Sequence, residues 1–281
     1  MTAAARDFPE VLATLEPYLV DVVLIGGWVP HLYLVYGNLG WQGTISRTTE
    51  GDILVPSILE PNGRPKLREL LEANGLRPAR KEPFPADWIA SDTEATVVEF
   101  IMANPGPAGT HSPRQIEAQG WLGAIVVEDA RLLQSYTNTL TVATRSGQLN
   151  VQVPTLGAWA VGKALTFGAR QATVSGTLGE EKRAKDLLYI RDMVFAGGRV
   201  LQQVGKDLAE IALDGAWSST LRRAVDRLTP VAAHSAVAAV TPAANQLAIR
   251  EGRSKGAAVA EIRAASRELI DIIQAALADK Q

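Results

Sequence analysis

The pattern of apolar residues changes at Pro154, and this change limits the possible folds more than any other feature of the chain. Before it, short apolar runs such as VVLI at 22–25 and TVVEFIM at 96–102 are separated by Gly, Pro and Asn, which is typical of strands joined by turns. After it, apolar residues recur at helical spacing up to a last predicted helix over 257–278. The sequence therefore predicts an α/β domain over 1–153 and an all-helical domain over 154–281.

Composition excludes several classes of protein. Of the 281 residues, 47% are hydrophobic and 21% are charged, as in folded globular domains. Cysteine is absent, which excludes disulfides, thiolate zinc sites and a cysteine nucleophile. No apolar run reaches the roughly 18 residues of a membrane span, and the first ten residues lack the apolar region of a signal peptide. We therefore expect a cytoplasmic protein without a membrane partner.

The first candidate site is the pair Gly26-Gly27, which stands between a predicted buried strand and a predicted helix. Glycine allows the backbone to approach a ligand closely, and the N-terminal N–H groups of a helix favour phosphate. Glycine pairs are also common in turns with a purely structural role. The glycine pair therefore indicates a phosphate site only in combination with other features.

Two carboxylates follow at the start of the next predicted strand, in EGDI at 50–53. Because side chains alternate along a strand, Glu50 and Asp52 are expected on the same face. Two neighbouring carboxylates repel each other unless a cation lies between them, and oxygen ligands suit Mg²⁺. The alternative is an ordinary polar start of a strand.

A third acid, Glu99, lies within the apolar run TVVEFIM. Burial of a carboxylate without a partner is costly, so Glu99 needs a base, a metal ion or water at a strand end. With it, the chain shows an ordered series of features: a strand, a glycine pair, a helix, a strand with two spaced acids, and a later strand with one acid.

This series resembles the nucleotidyltransferase superfamily. The motif of that superfamily is an apolar residue, a glycine and then a glycine or serine, followed by two acids with one apolar residue between them. The chain shows IGGW at 25–28 and RTTEGDILV at 47–55. A second match lies in the helical half, where Lys163 follows VQVPTL and Lys185 stands in KRAKD at 182–186. Together these segments, within roughly residues 20–195, resemble in particular the minimal, abortive-infection (AbiEii-like) branch, which includes toxins of toxin–antitoxin pairs.

The resemblance implies a nucleotidyltransferase fold, with a mixed sheet and flanking helices, and transfer of a nucleotide from an NTP to a hydroxyl of an RNA, a protein or a small molecule. It implies that Glu50, Asp52 and Glu99 are catalytic and bind two Mg²⁺ ions. It assigns nucleotide binding to a second set of residues: Gly26, Gly27, Arg47, Thr49, Lys163 and Lys185.

Several positions depart from the family pattern. Glu50 stands where Asp is common, Gly51 where an apolar residue is usual, and Tyr189 where a second acid often follows. These departures keep open an alternative of a different class, namely a catalytically silent protein with this fold that acts by binding a partner. An antitoxin is one candidate partner, and a second copy of the chain, bound through the amphipathic helix at 257–278, is another.

Overall fold

The structure is a computed structural model that describes residues 8–46, 48, 50–80, 84–90, 96–103, 114–127, 130–173, 177–233 and 235–279. The chain divides into two compact units. The first, called the sheet unit here, comprises residues 1–37 and 47–154, and the second, the helical unit, comprises residues 38–46 and 155–281. The expected fold class, a mixed sheet with flanking helices followed by a helical region, is confirmed.

The described part of the sheet unit contains four short α-helices and nine strands. The helices are α1 (Phe8–Thr14), α2 (Trp28–Tyr36), α3 (Leu67–Ala73) and α4 (Ala130–Ser135). The strands are β1 (Val23–Ile25), β2 (Gly51–Val55), β3 (Leu76–Pro78), β4 (Asp87–Ala90), β5 (Thr96–Ala103), β6 (Arg114–Ile116), β7 (Leu122–Val127), β8 (Thr137–Thr144) and β9 (Gly147–Pro154). β8 and β9 form an antiparallel hairpin, in which Arg145 and Ser146 are the turn between the paired residues Thr144 and Gly147.

Seven of the described strands form one mixed sheet. Its main order is β1-β2-β5-β4-β3, and β7, which carries β6 on its other side, pairs with the last part of β5. β5 runs parallel to both β2 and β7, and the other neighbours are antiparallel. The central strand β5 therefore meets β2 along one side and first β4, then β7, along the other.

One face of this sheet carries a buried apolar cluster, in which Val23, Leu54 and Ile101 pack with Ala130 of α4. Side chains two residues apart in a strand share a face. This is therefore also the face of Asp52 and Glu99, which lie next to the cluster.

The described part of the helical unit contains six α-helices: α5 (Leu156–Thr173), α6 (Thr177–Val194), α7 (Gly198–Leu213), α8 (Ser218–Ala232), α9 (Val237–Glu251) and α10 (Lys255–Ala278). The predicted last helix is confirmed as α10, which packs on α6, α7, α8 and α9 through buried residues that include Ile262, Leu269 and Ile273. Its apolar stripe is thus used within the unit. None of the helices among the described residues is long and apolar enough to cross a membrane.

Candidate active site

The glycine turn and a predicted catalytic acid meet at the end of β1. Ile25 is the Cα partner of Asp52 in β2, so the chain enters Gly26 directly beside the Asp52 side chain. Gly26 has a φ of +75°, and a Cβ added to it would lie 1.7 Å from Oδ2 of Asp52. Only glycine therefore suits this position, both for its backbone conformation and because the carboxylate occupies the space of a side chain. Gly27 follows as the N-cap of α2.

Glu99 lies beside Asp52 across the ladder between β2 and β5. The two acids are Cα partners on parallel neighbouring strands, which are separated by about 4.8 Å. Their side chains share one face, and both are partly exposed, whereas the adjacent Ile53, Val98 and Phe100 are buried on the opposite face. The structure thus brings together two acids that the sequence analysis found in separate apolar runs.

Asp87 is a further acid of this row, and the sequence analysis did not identify it. As the first residue of β4, Asp87 is the Cα partner of Glu99 on the side opposite Asp52. Its Oδ1 is buried and has no hydrogen-bond partner, which is a costly environment for a carboxylate oxygen. A local signal for it is the short apolar run that follows Asp87 in the sequence, at 88–90.

Glu50 lies one residue before β2, which begins at Gly51. It is partly buried, and its backbone carbonyl accepts a hydrogen bond from Oγ1 of Thr48 at 3.3 Å. Its spacing of two residues from Asp52 still predicts the same face. The predicted nucleotide-binding residues Arg47 and Thr49 lie outside the described residues.

The chemistry of this row of acids fits Mg²⁺. Within the part of the chain that the structure describes, no group of three or more His, Asp or Glu residues is placed so that it could hold a metal ion. Mg²⁺, however, keeps several waters and is usually bound by one or two carboxylates together with substrate phosphates. Asp52 and Glu99, which are neighbours on adjacent strands, supply two such carboxylates.

The other predicted nucleotide-binding residues lie in the helical unit. Nζ of Lys163 on α5 lies 3.3 Å from Oδ1 of Asp186 on α6, and 4.9 Å from the centre of the Tyr189 ring. The side chains of Lys163 and Asp186 are only 13% and 1% exposed. Lys163 is therefore held between two helices by an ion pair and an aromatic face, and does not extend into solvent from a helix edge. Lys185 lies on α6 immediately before Asp186 and is partly exposed.

One of three comparisons with known proteins supports the resemblance to nucleotidyltransferases, and it does not extend to the AbiEii-like branch. No curated protein and no solved structure matched the chain. A family model described as Nucleotidyltransferase matches residues 6–219, a span that includes the glycine turn, the row of acids and the pair Lys163–Asp186. Because this match covers well over half of the 281 residues, the chain belongs to that nucleotidyltransferase family.

Proposed function

We propose that the protein transfers a nucleotide from an NTP to an acceptor hydroxyl, and that it requires Mg²⁺ bound by Asp52 and Glu99. Membership of the family implies nucleotidyl transfer with an NTP as substrate. The observation that carries the finer proposal is the contact between Gly26 and Asp52, since an added Cβ would lie 1.7 Å from the carboxylate oxygen. A turn suited to phosphate and a carboxylate suited to Mg²⁺ thus occupy adjoining positions.

Each element of the site has a distinct task in this proposal. Gly26 and Gly27 lead into the N-terminus of α2, where free N–H groups and the helix dipole favour the triphosphate. Asp52 and Glu99 hold Mg²⁺, with Glu50 before β2 as a further candidate ligand. When bound, the metal ions stabilise negative charge on the attacking and leaving oxygens.

The finer assignments rest on the family pattern. Arg47 and Thr49 match an Arg and a Thr that precede the paired acids in the AbiEii-like branch, and Lys163 and Lys185 match its lysines. We assign these four residues to nucleotide binding, where a lysine contributes a compact positive charge. The contacts of Lys163 with Asp186 and Tyr189 support its part in this proposal, because they hold its ammonium group in a defined place. The proposed acceptor is a hydroxyl of an RNA, a protein or a small molecule. We also propose that the protein acts as a toxin with an antitoxin partner.

The test is titration calorimetry of ATP, GTP, CTP and UTP with Mg²⁺ on the wild type and three variants. We expect wild type to bind at least one nucleotide in a Mg²⁺-dependent way, and Asp52→Asn to weaken that binding. Gly26→Ala should weaken it by about tenfold or more, because its Cβ displaces Asp52. Gly63→Ala is the matched control, since Gly63 has a similar φ of +82° but nothing within 4 Å of an added Cβ.

Two results would contradict the proposal. If Gly26→Ala and Gly63→Ala weaken nucleotide binding equally, the effect comes from backbone strain and not from displacement of Asp52. If folded wild-type protein binds none of the four nucleotides with Mg²⁺, the alternative is favoured, namely a protein of this fold that binds a partner without catalysis.

A further inference from the structure

A tryptophan in a strained turn lies at the surface of the sheet unit. Trp121, which is 50% exposed, follows Gly120 directly before β7, and the two residues have φ values of +65° and +81°. A positive φ is unusual for a bulky residue, and residues in such conformations cluster at ligand-binding and active sites. The chain thus accepts a strained backbone at a position where a large aromatic ring meets solvent.

The turn that carries Trp121 is fixed from the inside by Gln119, which is fully buried. Nε2 of Gln119 donates to the carbonyl of Leu59 at 2.9 Å, and its Oε1 accepts a hydrogen bond from the backbone N–H of Leu67 at 2.8 Å. A buried polar side chain whose hydrogen bonds are satisfied makes its surroundings rigid. Trp121 is therefore presented to solvent in a defined place.

The surroundings of the Trp121 ring are aromatic and basic. Its centre lies 5.5 Å from the centre of the Phe84 ring, at an angle of 37° between the rings. A Cβ added to Gly120 would lie 3.2 Å from Cβ of Arg68 and 3.6 Å from Cδ of Lys66, so the stems of both side chains cross the residue next to Trp121. We call Trp121, Phe84, Lys66 and Arg68 the aromatic–basic patch.

The charge around this patch is opposite in sign to that of the rest of the sheet unit. Residues 61–85, which contain Lys66, Arg68 and Phe84, hold six Lys and Arg against three Glu, a formal net charge of +3. The remaining residues of the unit hold five Lys and Arg against 14 Asp and Glu, a net charge of -9. Arg68 pairs with the exposed Glu72, and Lys66 is exposed. A polyanion would therefore be attracted to this part of the unit rather than to its other surfaces.

We propose that the aromatic–basic patch binds single-stranded RNA. Exposed aromatic rings stack on the unpaired bases of a single strand, while Lys and Arg attract its phosphates. The combination of a rigid, exposed tryptophan with a second ring and two adjacent bases offers both interactions in one place. RNA is the expected strand, because unpaired bases are regular features of its loops, bulges and ends. The site is distinct from the acids assigned to Mg²⁺, and it does not depend on the proposed function.

The experiment measures fluorescence anisotropy of a labelled single-stranded RNA of about 12 nucleotides, with the full chain and without any NTP. Trp121→Gly removes the ring but keeps the turn, since glycine adopts a positive φ without strain. We expect it to weaken RNA binding by about tenfold or more, and Trp121→Phe, which keeps a ring, to stay within about threefold of the wild type. Ile58→Ala is the control, because it removes an apolar side chain that is 74% exposed but not aromatic.

The contribution of the bases is measured by the salt dependence of the same Kd. Lys66→Ala should reduce the slope of log Kd against log salt concentration by about 1. Lys66 is the N-cap of α3, which packs on β3 at one edge of the main sheet order. The control is Arg131→Ala, at an exposed base on α4, which packs on β1 at the other edge and should leave the slope unchanged. Duplex RNA should bind the wild type at least about fivefold more weakly than the single strand, because its bases are stacked on each other.

Four outcomes overturn the inference, provided that circular dichroism shows every variant folded. The wild type does not bind the single strand, Trp121→Gly and Ile58→Ala have the same Kd, or duplex RNA binds as tightly as the single strand. Tighter binding of a DNA strand of the same sequence would assign the patch to DNA. Because no NTP is present, these failures leave the proposed function standing. If the protein binds RNA through Trp121 but none of the four nucleotides in calorimetry, the patch is supported and the proposed function fails.

Discussion

In the helical unit the carboxylate of Asp192 meets two guanidinium groups and a serine, whereas in the sheet unit the acids Asp52, Glu99 and Asp87 come from three adjacent strands and stand side by side. The first arrangement pairs opposite charges. The second places like charges on one face, directly across the strands, which destabilises a sheet.

The helical unit thus surrounds its buried acid with opposite charges, whereas Asp52 and Glu99 of the sheet unit are the acids that the proposed function assigns to Mg²⁺. Removal of one partner from a buried, hydrogen-bonded ion pair leaves an uncompensated charge and strongly destabilises the fold. In the proposed function, a cation bound by Asp52 and Glu99 offsets the repulsion between these two acids. Local conflicts of this kind are expected at functional sites.

The largest expected effect is a loss of stability when the buried ion pair of the helical unit is broken. Arg250→Ala leaves the buried Asp192 with one guanidinium fewer and should lower the free energy of unfolding by about 3 kcal/mol. Urea denaturation measures it. The control is Arg68→Ala, which removes an exposed pair with Glu72 and should change that free energy by about 1 kcal/mol or less. A loss with Arg250→Ala no larger than with Arg68→Ala would show that the ion pair of Arg250 and Asp192 does not hold the helical unit together.

A smaller effect of opposite sign is expected in the row of acids. Asp87→Asn removes one of three neighbouring charges, so without Mg²⁺ it should raise the free energy of unfolding by about 0.5–1 kcal/mol. It should also reduce the stabilisation that Mg²⁺ gives to the wild type. Thermal denaturation with EDTA and with Mg²⁺ measures both quantities. The control is Glu60→Gln, at an exposed acid of the same unit, which should leave both quantities unchanged. If Asp87→Asn instead lowers the free energy of unfolding, the negative charge of Asp87 is compensated by a positive partner in the wild type.

The smallest expected effect is on the pH dependence of stability and concerns Asp207, a buried acid of the helical unit. Its carboxylate accepts hydrogen bonds from two neutral donors, the N–H of Gly157 at 2.9 Å and Nε2 of Gln203 at 2.7 Å. Burial raises the pKa of Asp207 above its ordinary value, although these hydrogen bonds lower it. An acid with a raised folded-state pKa contributes stability below its unfolded pKa of about 3.9 and loses it as pH rises through the folded value.

Asp207→Asn removes this titration. The free energy of unfolding of the variant, relative to the wild type, should therefore rise as pH increases from about 4 to 7. Denaturation at several pH values gives the trend, and Asp226→Asn, at an exposed acid on α8, should show none. A difference that falls with increasing pH would mean that the charged form of Asp207 is the one that the fold stabilises.

Much of the fold could be predicted because its signals are local. The apolar run before Gly26 predicts β1, Pro30 fits the first turn of α2, and helical spacing predicts α10, since each depends on residues close in sequence. The stretch 88–102 was harder, because its strand signals belong to two antiparallel strands, β4 and β5. The boundary between such strands depends on their pairing, and for this reason Asp87 was missed.

The sequence by itself determined which residue types stand at the site, namely a glycine pair at a turn, two acids spaced to share a face, and one acid in an apolar strand. Only the tertiary structure decided that β5 lies between β2 and β4, so that Asp52, Glu99 and Asp87 form one row, and that residues 38–46 join the helices. The physical reason is that side-chain periodicity reports which face of an element is buried, whereas the partner against which it is buried depends on contacts between residues far apart in the chain.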